Sequence, residues 1–87
     1  LEMSAQHKKY FDSLTPEERM LVVLREELYG GSWDRMLQDL RDRLRGRPYI
    51  FKLVNRIQED IARIEKLLEY EKKHGVNLGD FIKGGKP

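Results

Sequence analysis

Glu71 and His74 stand three residues apart in Glu71-Lys72-Lys73-His74, a spacing that puts a carboxylate and an imidazole on one face of a helix. Di-iron helical bundles use two such motifs together with two further inward carboxylates. This sequence carries one, at the end of its longest helical pattern, so His74 reads as a cation at a helix C-terminus. A metal site completed by dimerisation is the remotest of the readings. His7, beside Lys8 and Lys9, falls in a stretch read as mobile and has no partner by spacing. The acidic pairs Glu26-Glu27 and Glu59-Asp60 are adjacent in sequence, point in different directions on a helix and read as solvated surface. Cysteine is absent, which excludes thiolate catalysis, disulfides and Cys-ligated metal sites. No Ser/His/Asp set and no glycine-rich phosphate loop is present. The residues therefore point away from an enzyme, a cofactor and a metal.

Arginine is the second chemical feature. Residues 35–56 hold seven basic side chains against two acidic ones, a net +5, between a segment of −3 (1–34) and a neutral one (57–87). Arg41, Arg45, Arg47, Lys52 and Arg56, with Arg35 and Arg43 nearby, surround the start of the third helical pattern, where free backbone N–H groups favour an anion. A phosphate, an acidic partner or nucleic acid would fit there. Two observations oppose it. Arg35–Asp39 and Asp39–Arg43 are i,i+4 pairs that use part of the charge, and the whole chain carries only +2, low for a nucleic-acid domain. A helix-turn-helix reading also fails, because Asp34, Asp39 and Asp42 would face the phosphates.

These side chains need helices to hold them, and the helix punctuation is clear. Thr15-Pro16-Glu17-Glu18 is a capping box with proline at the first helical position. Met20, Leu21, Val22, Val23, Leu24 and Leu28 follow, a run continuous enough to predict a largely buried helix over 16–29, stopped by Gly30-Gly31. Ser32 caps a second helix over 33–45, with Trp33, Met36, Leu37, Leu40 and Leu44 on one face. A third spans about 48–74 and closes at Gly75. Its Ile50, Val54, Ile57, Ile61, Ile64 and Leu68 alternate four and three apart, an a/d seam widened by Leu53 and Leu67. Tyr10 and Phe11 suggest a short N-terminal helix, and Leu78, Phe81 and Ile82 a final helical turn. The expectation is an all-α bundle of three main helices with short helical segments at the termini.

Short turns at Gly30-Gly31-Ser32 and Gly46-Arg47-Pro48 make consecutive helices antiparallel neighbours. The third helix, at ~39 Å, is about twice as long as the others at ~1.5 Å per residue. On that reading both shorter helices lie beside its N-terminal half, and Ile61, Ile64, Leu67 and Leu68 need another cover. A second copy of the chain is the favoured cover, making these four residues a dimer interface. Folding back of Val76, Leu78, Phe81 and Ile82 is the competing one.

Composition agrees with this picture. Of 87 residues, 37% are charged and 39% hydrophobic, the mixture of amphipathic helices in one domain. No apolar stretch approaches the ~20 residues that span a bilayer, which excludes a membrane role and points to a cytoplasmic protein. Leu1-Glu2 ahead of Met3 reads as a cloning remnant, 3–82 as a single helical domain and 83–87 as a flexible tail. The expected function is a non-enzymatic protein–protein interaction module that forms a homodimer through the third helix. The alternative is a small anion- or nucleic-acid-binding domain on the arginines.

Overall fold

The computed structural model describes residues 2–46 and 51–83, and over those residues the chain is five helices without a strand. They are α1 (Glu2–Asp12), α2 (Pro16–Leu28), α3 (Trp33–Gly46), α4 (Phe51–His74) and α5 (Gly79–Lys83). The all-α bundle is as expected. The expected start of the third helix at Pro48 and the tail residues 84–87 lie outside the described residues.

Local chemistry sets the boundaries. At the start of α2 the Glu18 N–H donates to Thr15 Oγ1 at 3.1 Å and the Thr15 N–H donates to Glu18 Oε1 at 2.9 Å, which satisfies two otherwise orphaned donors. Ser32 caps α3 by accepting from the Arg35 N–H at 3.2 Å. The α2–α3 turn needs two consecutive left-handed residues, Gly30 at φ 61° and Gly31 at φ 81°, a conformation that costs glycine little. Gly75, at φ 65°, ends α4 in the same way, and its N–H and that of Val76 both donate to the Glu71 carbonyl.

Contacts along α4 give the directions. Trp33 meets Glu71 and Arg41 meets Glu65, so α3 runs antiparallel to α4. Glu18 meets Lys66 and Arg25 meets Glu71, so α2 runs parallel to α4. Tyr10 stacks on Tyr70 and His7 lies against His74, so α1 is antiparallel to α4, and Phe11 joins it to Phe81 of α5. The core consists of Phe11, Leu14, Leu21, Val22, Trp33, Met36, Leu37, Leu40, Ile57, Ile64, Leu67 and Leu78.

This register corrects the expected layout. The shorter helices lie beside the C-terminal part of α4, because the ties to Glu65, Lys66 and Glu71 hold them there. The N-terminal end of α4 is the uncovered one: Leu53 is 39% exposed, and Lys52, Asn55 and Arg56 face solvent. Ile64 and Leu67 are 0% exposed within one chain, while Ile61 and Leu68 are half-buried. Of the four residues expected to form a dimer interface, Ile61 and Leu68 alone are partly open, and the terminal helices reach this end of the bundle through Tyr10 on Tyr70 and Phe11 on Phe81. Nor is α2 buried all round, since Met20 is 56% and Leu28 68% exposed. Its apolar run is continuous, yet only Leu21 and Val22 are fully enclosed, with Leu24 half-buried beside them.

Truncating Leu67 to Ala should cost about 2–5 kcal/mol, as for other fully buried leucines. Leu53→Ala should cost no more than about 0.5 kcal/mol, as at an ordinary surface position. Urea denaturation of the two variants measures both; equal losses would place the α4 register elsewhere.

Candidate functional site

Three groupings of side chains could carry chemistry, and the first is built around a buried cation. Arg25 of α2 is 2% exposed. Its guanidinium donates to Glu71 Oε1 of α4 at 2.7 Å, to Asn77 Oδ1 at 2.6 Å and, through Nε, to Glu26 Oε2 at 3.2 Å. The same group lies 4.2 Å from the Trp33 ring centre, a cation–π contact. Glu71 is equally engaged: the Trp33 Nε1–H donates to its Oε1 at 2.9 Å and the Leu78 N–H to its Oε2 at 2.8 Å. Asn77 also accepts from the Gly79 N–H at 2.8 Å. Gly79 has no Cβ for a steric reason, because one there would stand 2.5 Å from the Glu26 carboxylate. The carboxylate of the Glu-x-x-His motif is thus consumed in joining α2, α3, α4 and the turn before α5. A guanidinium and a carboxylate so fully paired offer no free nucleophile or base; the arrangement binds helices to one another.

The second grouping holds both histidines. His7, read from the sequence as part of a mobile stretch, is instead 3% exposed on α1. Its Nδ1 lies 2.7 Å from the Tyr70 hydroxyl, and the His74 ring is 5.2 Å away, centre to centre. Tyr10 stacks on Tyr70 with ring centres 3.7 Å apart. Burial, with the Glu18 carboxylate nearby adding to it, raises the Tyr10 hydroxyl pKa against the opposing pull of Lys66. His74 packs on Tyr70, ring centres 4.3 Å apart, beside His7 of α1. Sequence spacing could not reveal this pairing, since its two members lie in helices at opposite ends of the chain.

The third grouping is a groove of about 310 Å³ between α2 and α4. Pro16, Met20, Leu21 and Leu24 make its apolar side, and Glu17, Arg56 and Asp60 its rim. It adjoins the uncovered end of α4.

The expected anion site is not assembled as an open cluster. Arg41 pairs with Glu65 at 3.2 Å, Arg43 with Asp39 at 3.3 Å and Arg45 with Asp42. Asp39 meets Arg43 and also accepts from the Tyr29 hydroxyl at 2.5 Å. That hydrogen bond, followed by burial, raises the Tyr29 pKa. Lys52 and Arg56 are exposed on α4, Arg56 at the groove, and Arg47 lies outside the described residues. Glu26, read as solvated, is half-buried on Arg25. Among the described residues no group of three or more His, Cys, Asp or Glu is placed to hold a metal ion, and no helix is long and apolar enough to cross a membrane. No protein family, characterised protein or solved structure matches the chain.

Two outcomes test the electrostatics. Glu71→Ala strands the Arg25 charge in the core and should cost about 3–5 kcal/mol, whereas Glu65→Ala, which frees only the exposed Arg41, should cost at most about 1 kcal/mol. Thermal or urea melts compare them directly. The second outcome concerns Glu18. Burial pushes its carboxyl up, but the hydrogen bond and charge of Lys66 and the bonds to Thr15 outweigh it and hold the value below the ordinary one. A folded value below the unfolded one means stability that is present above the unfolded value and lost as pH falls through the folded value. Glu18→Gln should therefore flatten the loss of stability as pH falls below the ordinary carboxyl range. An acid limb identical to wild type would remove Glu18 from that role.

Proposed function

We propose that this chain is a non-enzymatic helical interaction module that self-associates through the uncovered N-terminal end of α4 and the face of α2 beside it. The observation that supports it is where large apolar side chains meet solvent next to a groove. Met20 is 56% exposed on the groove wall and Leu53 is 39% exposed on the neighbouring end of α4, although burying such a side chain is worth about 1.5–3 kcal/mol. Charge around the groove favours a second copy of the same surface. Arg56 lines the α4 side and Lys52 is exposed one turn before it, while Glu17 and Asp60 lie on the groove rim. In a twofold pair each residue i meets j while j meets i. An antiparallel crossing of two α4 ends brings the basic pair of each copy to the acidic pair of the other.

The fold itself suits a scaffold more than a catalyst. Arg25, Glu71 and Asn77, the polar groups between its helices, are spent on one another, and the α2–α4 cleft is an open groove on helix surfaces.

Sedimentation equilibrium at concentrations from about 1 to 100 μM, the range of weak, specific dimers, tests the proposal. Wild type should sediment as a dimer at the upper end, and Met20→Lys with Leu53→Lys should return the monomer mass without loss of helix content. A monomer throughout, or a dimer indifferent to both substitutions, would overturn it. Dimerisation abolished by Ile61→Lys alone, with Met20→Lys and Leu53→Lys silent, would restore the seam on Ile61, Ile64, Leu67 and Leu68.

A further inference from the structure

His7 presents a buried nitrogen with nothing bonded to it. The residue is 3% exposed, its Nδ1 lies 2.7 Å from the Tyr70 hydroxyl, and its Nε2 is buried without a hydrogen-bond partner. A buried polar atom without a partner ordinarily costs about 1–3 kcal/mol, so its persistence calls for a reason. With the proton on Nδ1 donated to the Tyr70 oxygen, Nε2 carries a free lone pair. This is how a metal-binding histidine is held: one ring nitrogen on an oxygen acceptor that sets tautomer and orientation, the other left for the ion.

A second imidazole lies at a suitable distance. The His7 and His74 ring centres are 5.2 Å apart and the rings are tilted by 57°. Zinc–imidazole bonds are about 2.0–2.1 Å long, so two imidazoles on one tetrahedral zinc hold their ring centres about 5 Å apart. Tyr70 touches both histidines, with its ring 4.3 Å from that of His74, and Tyr10 stacks on the far side of Tyr70. Aromatic packing thus restrains both ligands. His7 borders a cleft of about 560 Å³ with Gly75, Val76, Asn77, Asp80 and Phe81, and His74 borders a second cleft with Tyr10 and Tyr70, so solvent reaches the pair from either side.

We propose that His7 and His74 together bind one late first-row divalent ion, zinc in the first place, and that the ion pins α1 to the end of α4. Two neutral imidazoles suit zinc, copper and nickel and do not suit calcium or magnesium, which take oxygen ligands. No third His, Cys, Asp or Glu among the described residues joins the pair, so water from the neighbouring clefts completes the coordination once the ion has displaced the side chains that seal Nε2. The ligands come from helices far apart in sequence, so the site exists only when α1 is docked. Ion binding and docking are then one equilibrium. The site lies at the opposite end of α4 from the self-association face and does not depend on it.

The test is a titration of the full chain with zinc chloride, followed by calorimetry and by the histidine ring signals in NMR. The sequence has two histidines and no cysteine, so zinc held by surface carboxylates alone survives replacement of His74. Wild type should bind one zinc with both histidine signals shifted, and the melting temperature should rise with zinc. His74→Gln, at a half-exposed position, should keep the fold and weaken binding at least about 10-fold; Tyr70→Phe should weaken it about 10-fold through loss of the orienting hydrogen bond. No binding at millimolar zinc, equal binding by wild type and His74→Gln, or a shift confined to the His74 signal would overturn the proposal.

Discussion

A guanidinium cannot sit alone in a hydrophobic core, and the layout of this bundle follows from how Arg25 is satisfied. Desolvating an isolated cation costs several kcal/mol, so every donor must find an acceptor with good geometry. Glu71 supplies one from α4, Asn77 one from the turn after it and Glu26 one from α2 itself, while the face of Trp33 covers the charge from α3. Glu71 and Asn77 are held in turn by further donors, Trp33 Nε1 and the Leu78 backbone for the first and the Gly79 backbone for the second. Apolar faces of helices tolerate sliding by a turn, because leucine replaces leucine. A saturated ionic cluster does not, since one slipped register leaves a charge unpaired. The cluster's contribution is therefore a single arrangement more than added stability.

The same cluster explains what could and could not be read from the residues alone. Caps and stops are local chemistry: Thr15-Pro16-Glu17-Glu18, Ser32, the Gly30-Gly31 pair and Gly75 each act within a few residues, and each lies where the sequence suggests. The apolar face of α3 was equally legible, since Trp33, Met36, Leu37 and Leu40 recur at helical spacing and are buried. Lengths and loops place the two shorter helices beside the N-terminal half of α4, whereas the ties to Glu65, Lys66 and Glu71 draw them towards its C-terminal part. Helix length constrains where a neighbour can lie but does not select among positions; the ties between Arg25, Trp33 and Glu71 select, and they join residues 38 to 46 apart. Arg25 itself gave no signal. It sits among Leu24, Glu26 and Glu27 and looks like any surface arginine.

Where the neighbours lie along α4 also decides which surfaces are candidates. By length and loops the seam from Ile61 to Leu68 needs a further cover, a second copy or the folded-back terminal segment. Yet α1 has 11 residues, enough to bring His7, Tyr10 and Phe11 onto α4 and α5. For the arginines, spacing reveals only pairs within one helix, Arg35–Asp39 and Asp39–Arg43. Across helices, Glu65 meets Arg41, and Tyr29 shares Asp39 with Arg43. Leu53 of α4 and Met20 beside the α2–α4 groove, which sequence periodicity assigns to the interior, are instead open to solvent.

The stacking of α1 and α5 at one end gives the molecule two unlike poles. The chain measures 48 × 21 × 21 Å, and α1 and α5 meet through Phe11 and Phe81 at the pole where α4 finishes. The first turns of α4 occupy the opposite pole. A fluorescent protein or an affinity handle joined ahead of α1 or behind α5 is thus carried on the pole away from Leu53, and two such labels on one molecule stand near each other. Joining the ends of α1 and α5 by a short linker and opening the chain elsewhere would keep both poles as they are, so the order of helices along the polypeptide can be changed without changing which surfaces face outward.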